Sequence, residues 1–345
     1  MIVNIQNIGK GEIVVKHSKK IAVIGAGTMG AGMAVQYAGY GHEVMLYSRT
    51  QETLERARKT MEKSCRLLGE EGVISREMAN TAMERICGTT DLNQAVKDAW
   101  YVVETIAERA DAKTALYQQL DGMLKEDVIL SSNTSYMNVF ELIPDRRQPY
   151  TLIAHWFAPA HILPLVEIVK GPCTREDVVE RMIQLHRNCG KTPICMERYV
   201  PGFIINRLQS AMTREVLYLL ENGYCSAQDI DLAVKTSLMP RGLALGLVQR
   251  MDFSGMDTVA NGLRNGTYTP APAPAEDNLV LRHAQNGELG VKSGVGFYRY
   301  DHKPYEEILD QRDRQLMRGV RLEQEFRDQM LHRDEEKDGS GTILP

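Results

Sequence analysis

Two groups of residues in this chain have types and spacings that could do chemistry. The first is Gly25-Ala26-Gly27-Thr28-Met29-Gly30, a Gly-x-Gly-x-x-Gly run directly after the apolar stretch Ile21 to Ile24. Gly25 permits a tight turn, Gly27 lets a pyrophosphate approach the backbone, and Gly30 lets a following helix pack close to the preceding strand. Thr28 and Met29 fall at the start of that helix, whose N–H groups and dipole would hold phosphate. The second group is His155 with Glu167. An imidazole titrating near neutrality can take the hydroxyl proton of a secondary alcohol while hydride leaves for a nicotinamide, and can run the step in reverse. His155 sits at the end of an expected strand, where open α/β sheets place their ligands. Glu167, inside an apolar run on the next strand, would be a buried acid in need of a partner. Holding the His155 ring in one tautomer and stabilising its protonated form would meet that need; a strand-end histidine taken by itself is more often structural.

The elements that must position these groups follow from the patterning. Ile21 to Ile24 reads as a buried strand, Ala31 to Ala38 as a small-residue helix, and Gly41 to Tyr47 as the second strand of a β-α-β unit. Where that strand ends, NAD enzymes usually carry Asp or Glu for the ribose hydroxyls. Here the residues are Ser48-Arg49-Thr50. A hydroxyl and a guanidinium suit a 2′-phosphate that a carboxylate would repel, which favours NADP over NAD. The alternative is Arg49 as a solvated turn residue beside bound NAD.

Charged helices are expected over Glu52 to Leu68 and Ser75 to Ile86, and further strands at Trp100 to Glu104, Val128 to Leu130, Thr151 to Phe157, Leu165 to Lys170 and Ile194 to Met196. Alternating strands and helices predict a doubly wound α/β sheet of Rossmann type. After Val200-Pro201-Gly202 the spacing turns helical, with Ser226 and Asp229 as a cap pair and a Pro-Ala surface loop over 267–278. The expected organisation is an N-terminal arm over 1–18, an NAD(P)-binding domain over 19–200, an all-helical C-terminal domain over 201–300, and a helical extension with a flexible tail over 301–345.

The chain has 345 residues, 43% of them hydrophobic and 25% charged, with a net charge of −4. These values suit a globular protein of one large or two medium domains and give no electrostatic case for nucleic acid or an acidic membrane. No apolar run approaches the ~20 residues of a membrane span, and no signal-peptide pattern opens the chain. Six cysteines, none in a Cys-x-x-Cys pair, fit a reduced, cytoplasmic protein, with Cys189 and Cys195 as buried spectators rather than a redox pair. No metal site is expected.

Over residues 19–300 the chain resembles the 3-hydroxyacyl-CoA dehydrogenase family. The resemblance is carried in order by Gly25 to Gly30, Val102-Val-Glu-Thr-Ile-Ala-Glu108, Ser132-Asn-Thr-Ser135, His155-Trp-Phe-Ala-Pro159, Leu165-Val-Glu-Ile168, Pro201-Gly-Phe-Ile-Ile-Asn-Arg207 and Leu289 to Tyr298. It implies a His155–Glu167 dyad, Ser135 and Asn206 as contacts for the substrate oxygen and the histidine, Glu108, Lys113 and Asn133 as cofactor contacts, and a homodimer formed through the helical domain. Glu108 and Lys113 are placed on the helix after Glu104, with exposed helix charges as the other reading for both.

The sequence also departs from the family's pattern. Ala158 replaces an amide beside His155, and Ala160 to Glu167 looks more like the branches that act on free hydroxy acids, such as L-gulonate 3-dehydrogenase. Glu70-Glu71 stand near a position where acyl-CoA enzymes carry a lysine, and two carboxylates would repel a phosphorylated adenosine. Arg241 could pair with a substrate carboxylate or be a plain surface residue. The rival readings are an acyl-CoA ester or a small free 3-hydroxy acid as substrate, a non-catalytic NAD(P)H-binding protein, and the lysine-dependent β-hydroxyacid dehydrogenases.

Overall fold

The structure, a computed structural model, describes residues 20–266 and 268–335. The expected arm over 1–18 and residues 336–345 of the expected tail lie outside the described residues. The chain divides after Phe203 into two compact units.

The first unit is built on eight strands: β1 (Ile21–Ile24), β2 (Val44–Tyr47), β3 (Ile86–Thr89), β4 (Tyr101–Glu104), β5 (Ile129–Ser132), β6 (Thr151–Trp156), β7 (Leu165–Lys170) and β8 (Thr192–Met196). They form one sheet in the order β3-β2-β1-β4-β5-β6-β7-β8. Every neighbouring pair is parallel except β6 with β7. Helices α1 (Thr28–Gly39), α2 (Gln51–Glu70), α3 (Arg76–Ala82), α4 (Leu92–Val96), α5 (Ala110–Met123) and α6 (Glu176–Asn188) fall between the strands. The central strands β1, β4 and β5 are buried along their whole length, which is why their apolar residues follow one another, Ile21 to Ile24, Tyr101 to Val103 and Ile129 to Leu130, rather than alternating. The doubly wound sheet expected from the sequence is therefore present.

Local chemistry closes the helices. Thr50 accepts from Thr53 N to cap α2, Ser75 from Met78 N to cap α3, and Asp91 from Asn93 N and Gln94 N to cap α4. Between α5 and β5 the buried Arg147 guanidinium donates to four backbone carbonyls, those of Leu124, Lys125, Glu126 and Val128, at 2.7 to 3.4 Å.

Two expectations change here. The helix assigned through Ile86 stops at Ala82 and, after a turn of 3-10 helix, gives way to β3. That edge strand is half exposed and contains Gly88, so it carries no apolar signature. Cys189 is buried, and burial drives its thiol up to about 12; Cys195 is exposed on the edge strand β8 rather than buried.

The second unit comprises α7 (Ile205–Glu221), α8 (Ala227–Ala233), a π-helical turn over Val234–Leu238, α9 (Met239–Leu245), α10 (Gln249–Ser254), α11 (Met256–Asn265), α12 (Leu279–Gln285) and α13 (Tyr305–Glu335). Ser226 and Asp229 make a full capping box on α8. Two departures from an all-helical reading appear, the isolated bridges Gly290–Val295 and Val295–Arg299. The helical extension expected within 301–345 is present as α13, which runs through Glu335. The Pro-Ala segment is pinned rather than merely superficial. Arg214 Nε donates to Ala271 O at 2.5 Å, Glu215 accepts from Ala271 N at 2.9 Å and from the Tyr268 hydroxyl at 2.7 Å, and Ala271 is buried.

Candidate active site

The candidate residues of the first unit gather along one edge of the sheet. The glycine turn follows β1, Ser48 follows β2, Glu104 ends β4, and Asn133 to Ser135 follow β5. His155 is near the end of β6, and Glu167 is near the start of β7, which runs the other way. The antiparallel ladder places His155 and Glu167 directly opposite one another. Their side chains meet, His155 Nδ1 to Glu167 Oε2, at 2.7 Å, and both are buried. Opposite an ionised carboxylate, which only accepts, a neutral imidazole carries its hydrogen on Nδ1 and its lone pair on Nε2. Phe157 and Phe203 flank the imidazole, with ring centroids at 4.5 and 5.2 Å. Phe203 was not singled out in the sequence. It is buried and holds a positive φ of 50°, beside Gly202 at 78°, a backbone geometry that non-glycine residues adopt only when their surroundings enforce it.

The glycine turn has the shape a pyrophosphate needs. Gly25 has φ of 119°, and a Cβ there would run into the Thr105 backbone. At Gly30 a Cβ would collide with Gly25 O, whereas at Gly27 it would meet nothing within 4 Å. Helix α1 therefore packs down on Gly30 while Gly27 leaves open space at its N-terminus, where Thr28 and Met29 begin the first turn. Thr28 and Gly27 line a cleft of about 220 Å³ with Thr53, Arg56 and Thr60 of α2. Ser48 is buried, with its N–H bonded to Thr89 O at 3.2 Å, and Arg49 is exposed.

Lys113 corrects one reading and Glu108 another. Lys113 is not an exposed helix charge: only 1% of it is exposed, and its Nζ donates to Glu104 Oε1 and Oε2 at 2.7 and 2.8 Å. Glu108 precedes α5 instead of lying on it. Its Oε2 stands 3.3 Å from Lys113, and its Oε1 accepts from the Thr134 hydroxyl, Ser135 N and Tyr136 N. Burial alone would raise the Glu108 carboxyl, but the Thr134 hydroxyl, the Lys113 ammonium and the two backbone donors outweigh it and hold the group below its ordinary range. Asn133 Oδ1 accepts from Trp156 N at 2.8 Å, which ties the loop after β5 to the strand bearing His155.

Asn206 is half-buried in the first turn of α7, in the second unit. Arg241, also in that unit, donates from α9 to the Ser237 carbonyl and hydroxyl of the preceding π-helical turn at 3.1 Å each.

Sequence reasoning also passed over Glu104 and Lys191. Glu104 ends an apolar run, the same signal that marked Glu167. Lys191 Nζ is buried, donates to Ala160 O at 2.5 Å and Leu163 O at 2.9 Å, and lies 4.6 Å from the Trp156 ring. Burial brings its ammonium down to about 7. Among the described residues no group of three His, Cys, Asp or Glu is arranged to hold a metal, and no helix is long and apolar enough to cross a membrane.

Residues 20–199 match the family described as 3-hydroxyacyl-CoA dehydrogenase, NAD binding domain, and residues 202–300 its C-terminal domain. The chain is 33% identical over 301 residues to the mitochondrial hydroxyacyl-coenzyme A dehydrogenase of Sus scrofa, covering 84% of this chain and 92% of that one. It is 28% identical over 308 residues to the 5-formyl-3-hydroxy-2-methylpyridine 4-carboxylate 5-dehydrogenase of Mesorhizobium japonicum, covering 88% and 98%. A crystal structure of an enzyme of the latter activity, described as an NAD+-dependent dismutase, superposes with a TM-score of 0.79 at 28% identity, covering 89% of this chain and 99% of that chain.

Proposed function

The chain belongs to the 3-hydroxyacyl-CoA dehydrogenase family, and from that premise we propose that it catalyses the reversible oxidation of a 3-hydroxy group to a ketone with His155 as general base. The observation that carries this reading is the buried 2.7 Å contact between His155 Nδ1 and Glu167 Oε2. In the oxidative direction Nε2 takes the hydroxyl proton, and Glu167 balances the charge of the resulting imidazolium without surrendering the Nδ1 hydrogen. Phe157 and Phe203 keep water from the ring, so the carboxylate acts at low local dielectric. Ser135 and Asn206 fix the reacting oxygen. The nicotinamide cofactor, when bound, accepts the hydride.

Gly25 to Gly30 hold the pyrophosphate, and the open space over Gly27 supports that fit. Asn133, Glu108 and Lys113 border the same edge. The family's first domain is an NAD-binding domain; at the ribose, buried Ser48 and exposed Arg49 support a preference for NADP. A second copy of the chain is the proposed partner, docking on a helical unit that exposes Leu208, Met212, Val248, Phe253 and Leu263. Sedimentation velocity gives a dimer under this reading, and a monomer overturns it. The free cysteines suit a reducing, cytoplasmic setting.

The substrate is an acyl-CoA ester or a small free 3-hydroxy acid. The second is favoured by Ala158 beside the dyad and by Glu70-Glu71 at the end of α2, where Glu70 stands 3.9 Å from Arg66 and keeps a carboxylate at the surface. Turnover of acetoacetyl-CoA and of acetoacetate, each with NADH and with NADPH, tests every part. Thioester turnover establishes the acyl-CoA reading, and turnover of the acid alone establishes the other. Oxidation of neither reduced cofactor, in a protein that binds both, would overturn this substrate class.

A further inference from the structure

The buried charge cluster behind the candidate site is built as a chain of contacts with a direction. Glu104, fully buried at the end of β4, collects five contacts from four donor groups: Lys113 Nζ on both oxygens, Ile106 N at 2.7 Å, the Tyr117 hydroxyl at 2.7 Å and the Ser132 hydroxyl at 2.6 Å. Lys113 then stands between this carboxylate and Glu108. Glu108 in turn takes the Thr134 hydroxyl and the N–H groups of Ser135 and Tyr136. Apolar residues of equal volume can stabilise a core as well as a buried ion pair does, so the cluster is better explained by the geometry it imposes than by the stability it adds. That geometry ends on one turn, Thr134 to Tyr136.

We propose that Glu104 is a positioning residue which, through Lys113 and Glu108, fixes the Thr134–Tyr136 turn and with it Ser135. The inference rests on the reading of Ser135 as a contact for the reacting oxygen. Glu104 is fully buried and acts through the groups bonded to it. It holds the Lys113 ammonium between two carboxylates, and the ammonium, together with the Thr134 hydroxyl and the N–H groups of the turn, keeps the Glu108 carboxylate facing the turn. Glu104→Gln preserves shape but removes the negative charge and one of the two acceptor oxygens that Lys113 Nζ and Ile106 N, which can only donate, are bonded to, so Lys113 loses its anchor and Glu108 its fixed counter-ion.

The test is hydrogen exchange on the full chain, followed by kinetics. In Glu104→Gln the amides of Ser135 and Tyr136 should exchange at least roughly tenfold faster, while those of β1 are unchanged. Unchanged exchange at the turn, or acceleration spread equally through β1, overturns the proposal, the latter by reducing Glu104 to a general structural role. If Glu104→Gln does not fold, Tyr117→Phe removes one donor without touching the charge, and the same local acceleration is required of it in smaller measure.

With whichever of acetoacetyl-CoA or acetoacetate is turned over, Glu104→Gln should lower kcat by roughly tenfold to a hundredfold. The cofactor KM should move far less, and most of the loss should vanish in the Ser135→Ala background. Additive losses overturn the link to Ser135. Full activity in Ser135→Ala beside fast local exchange marks failure of the Ser135 reading alone. Slow exchange in Glu104→Gln beside an impaired Ser135→Ala marks failure of this inference alone.

Discussion

At the scale of single residues, the candidate chemistry concentrates in a pair that the sequence separates by twelve positions and the ladder sets face to face. His155→Ala should lose at least ~10²-fold in kcat, the usual contribution of a general base, with the cofactor still bound in a fluorescence titration; near-normal turnover would remove His155 from the mechanism. The pair was legible because a glutamate in an apolar run demands a partner, and strand-end histidines are few. The same logic applied to Glu104 would have found the second buried carboxylate. Lys113 was not legible in that way, because a lysine in a polar helix looks solvated until its partner is known. Phe203 stood inside a quoted motif without a role of its own: its place against His155 depends on the positive φ values at 202 and 203, which an apolar residue beside a glycine does not announce.

At the scale of elements, strands with an apolar run on both faces were readable, the edge strand β8 was read in part from Ile194 to Met196, and the other edge, β3, was not read. β1, β4 and β5 declared themselves, whereas β3 was missed, its first residue Ile86 assigned to the preceding helix and the rest to no element, because half of it faces solvent. The reversal of β7 was equally silent, since patterning specifies which face is buried and not the direction of travel. Connections held by long-range side chains are also invisible in a linear reading, and Arg147 is the clearest case. Its guanidinium serves four carbonyls in the turn from α5 to β5 from 19 to 23 positions away. Arg147→Met should cost roughly 2–4 kcal/mol in denaturant unfolding, from buried carbonyls left without donors. A change below about 0.5 kcal/mol, the range of ordinary surface substitutions, would show that water replaces the guanidinium freely.

At the scale of the molecule, the α/β-then-helical order was legible from the change in period near residue 200, while the pinning of the 268–278 segment by Arg214 and Glu215 was not. The first unit also carries a pH dependence that no composition reveals. His186 is fully buried; its Nδ1 is 2.7 Å from Met182 O and its Nε2 3.3 Å from the Tyr37 hydroxyl. Burial, with the Lys191 charge adding to it, brings the imidazole from 6.5 down to about 4. Between those values the unfolded chain binds the proton and the folded chain does not, so stability rises with pH across that window. The contribution is complete above 6.5, is lost as pH falls through 4, and amounts to about 3 kcal/mol. Denaturant midpoints from pH 7 to pH 4 should fall accordingly, and His186→Gln should flatten the curve. An equal slope in that variant would assign the acid sensitivity elsewhere.

The connection between β6 and β7 is gripped by Lys191 through the peptide oxygens of residues 160 and 163, which every amino acid supplies. The pairing of His155 with Glu167 is set by the ladder on either side of it. The contact between His155 and Glu167 and the course of the chain between them are therefore held by backbone, so the proposed proton transfer and the choice of what is bound beside it rest on different parts of the fold.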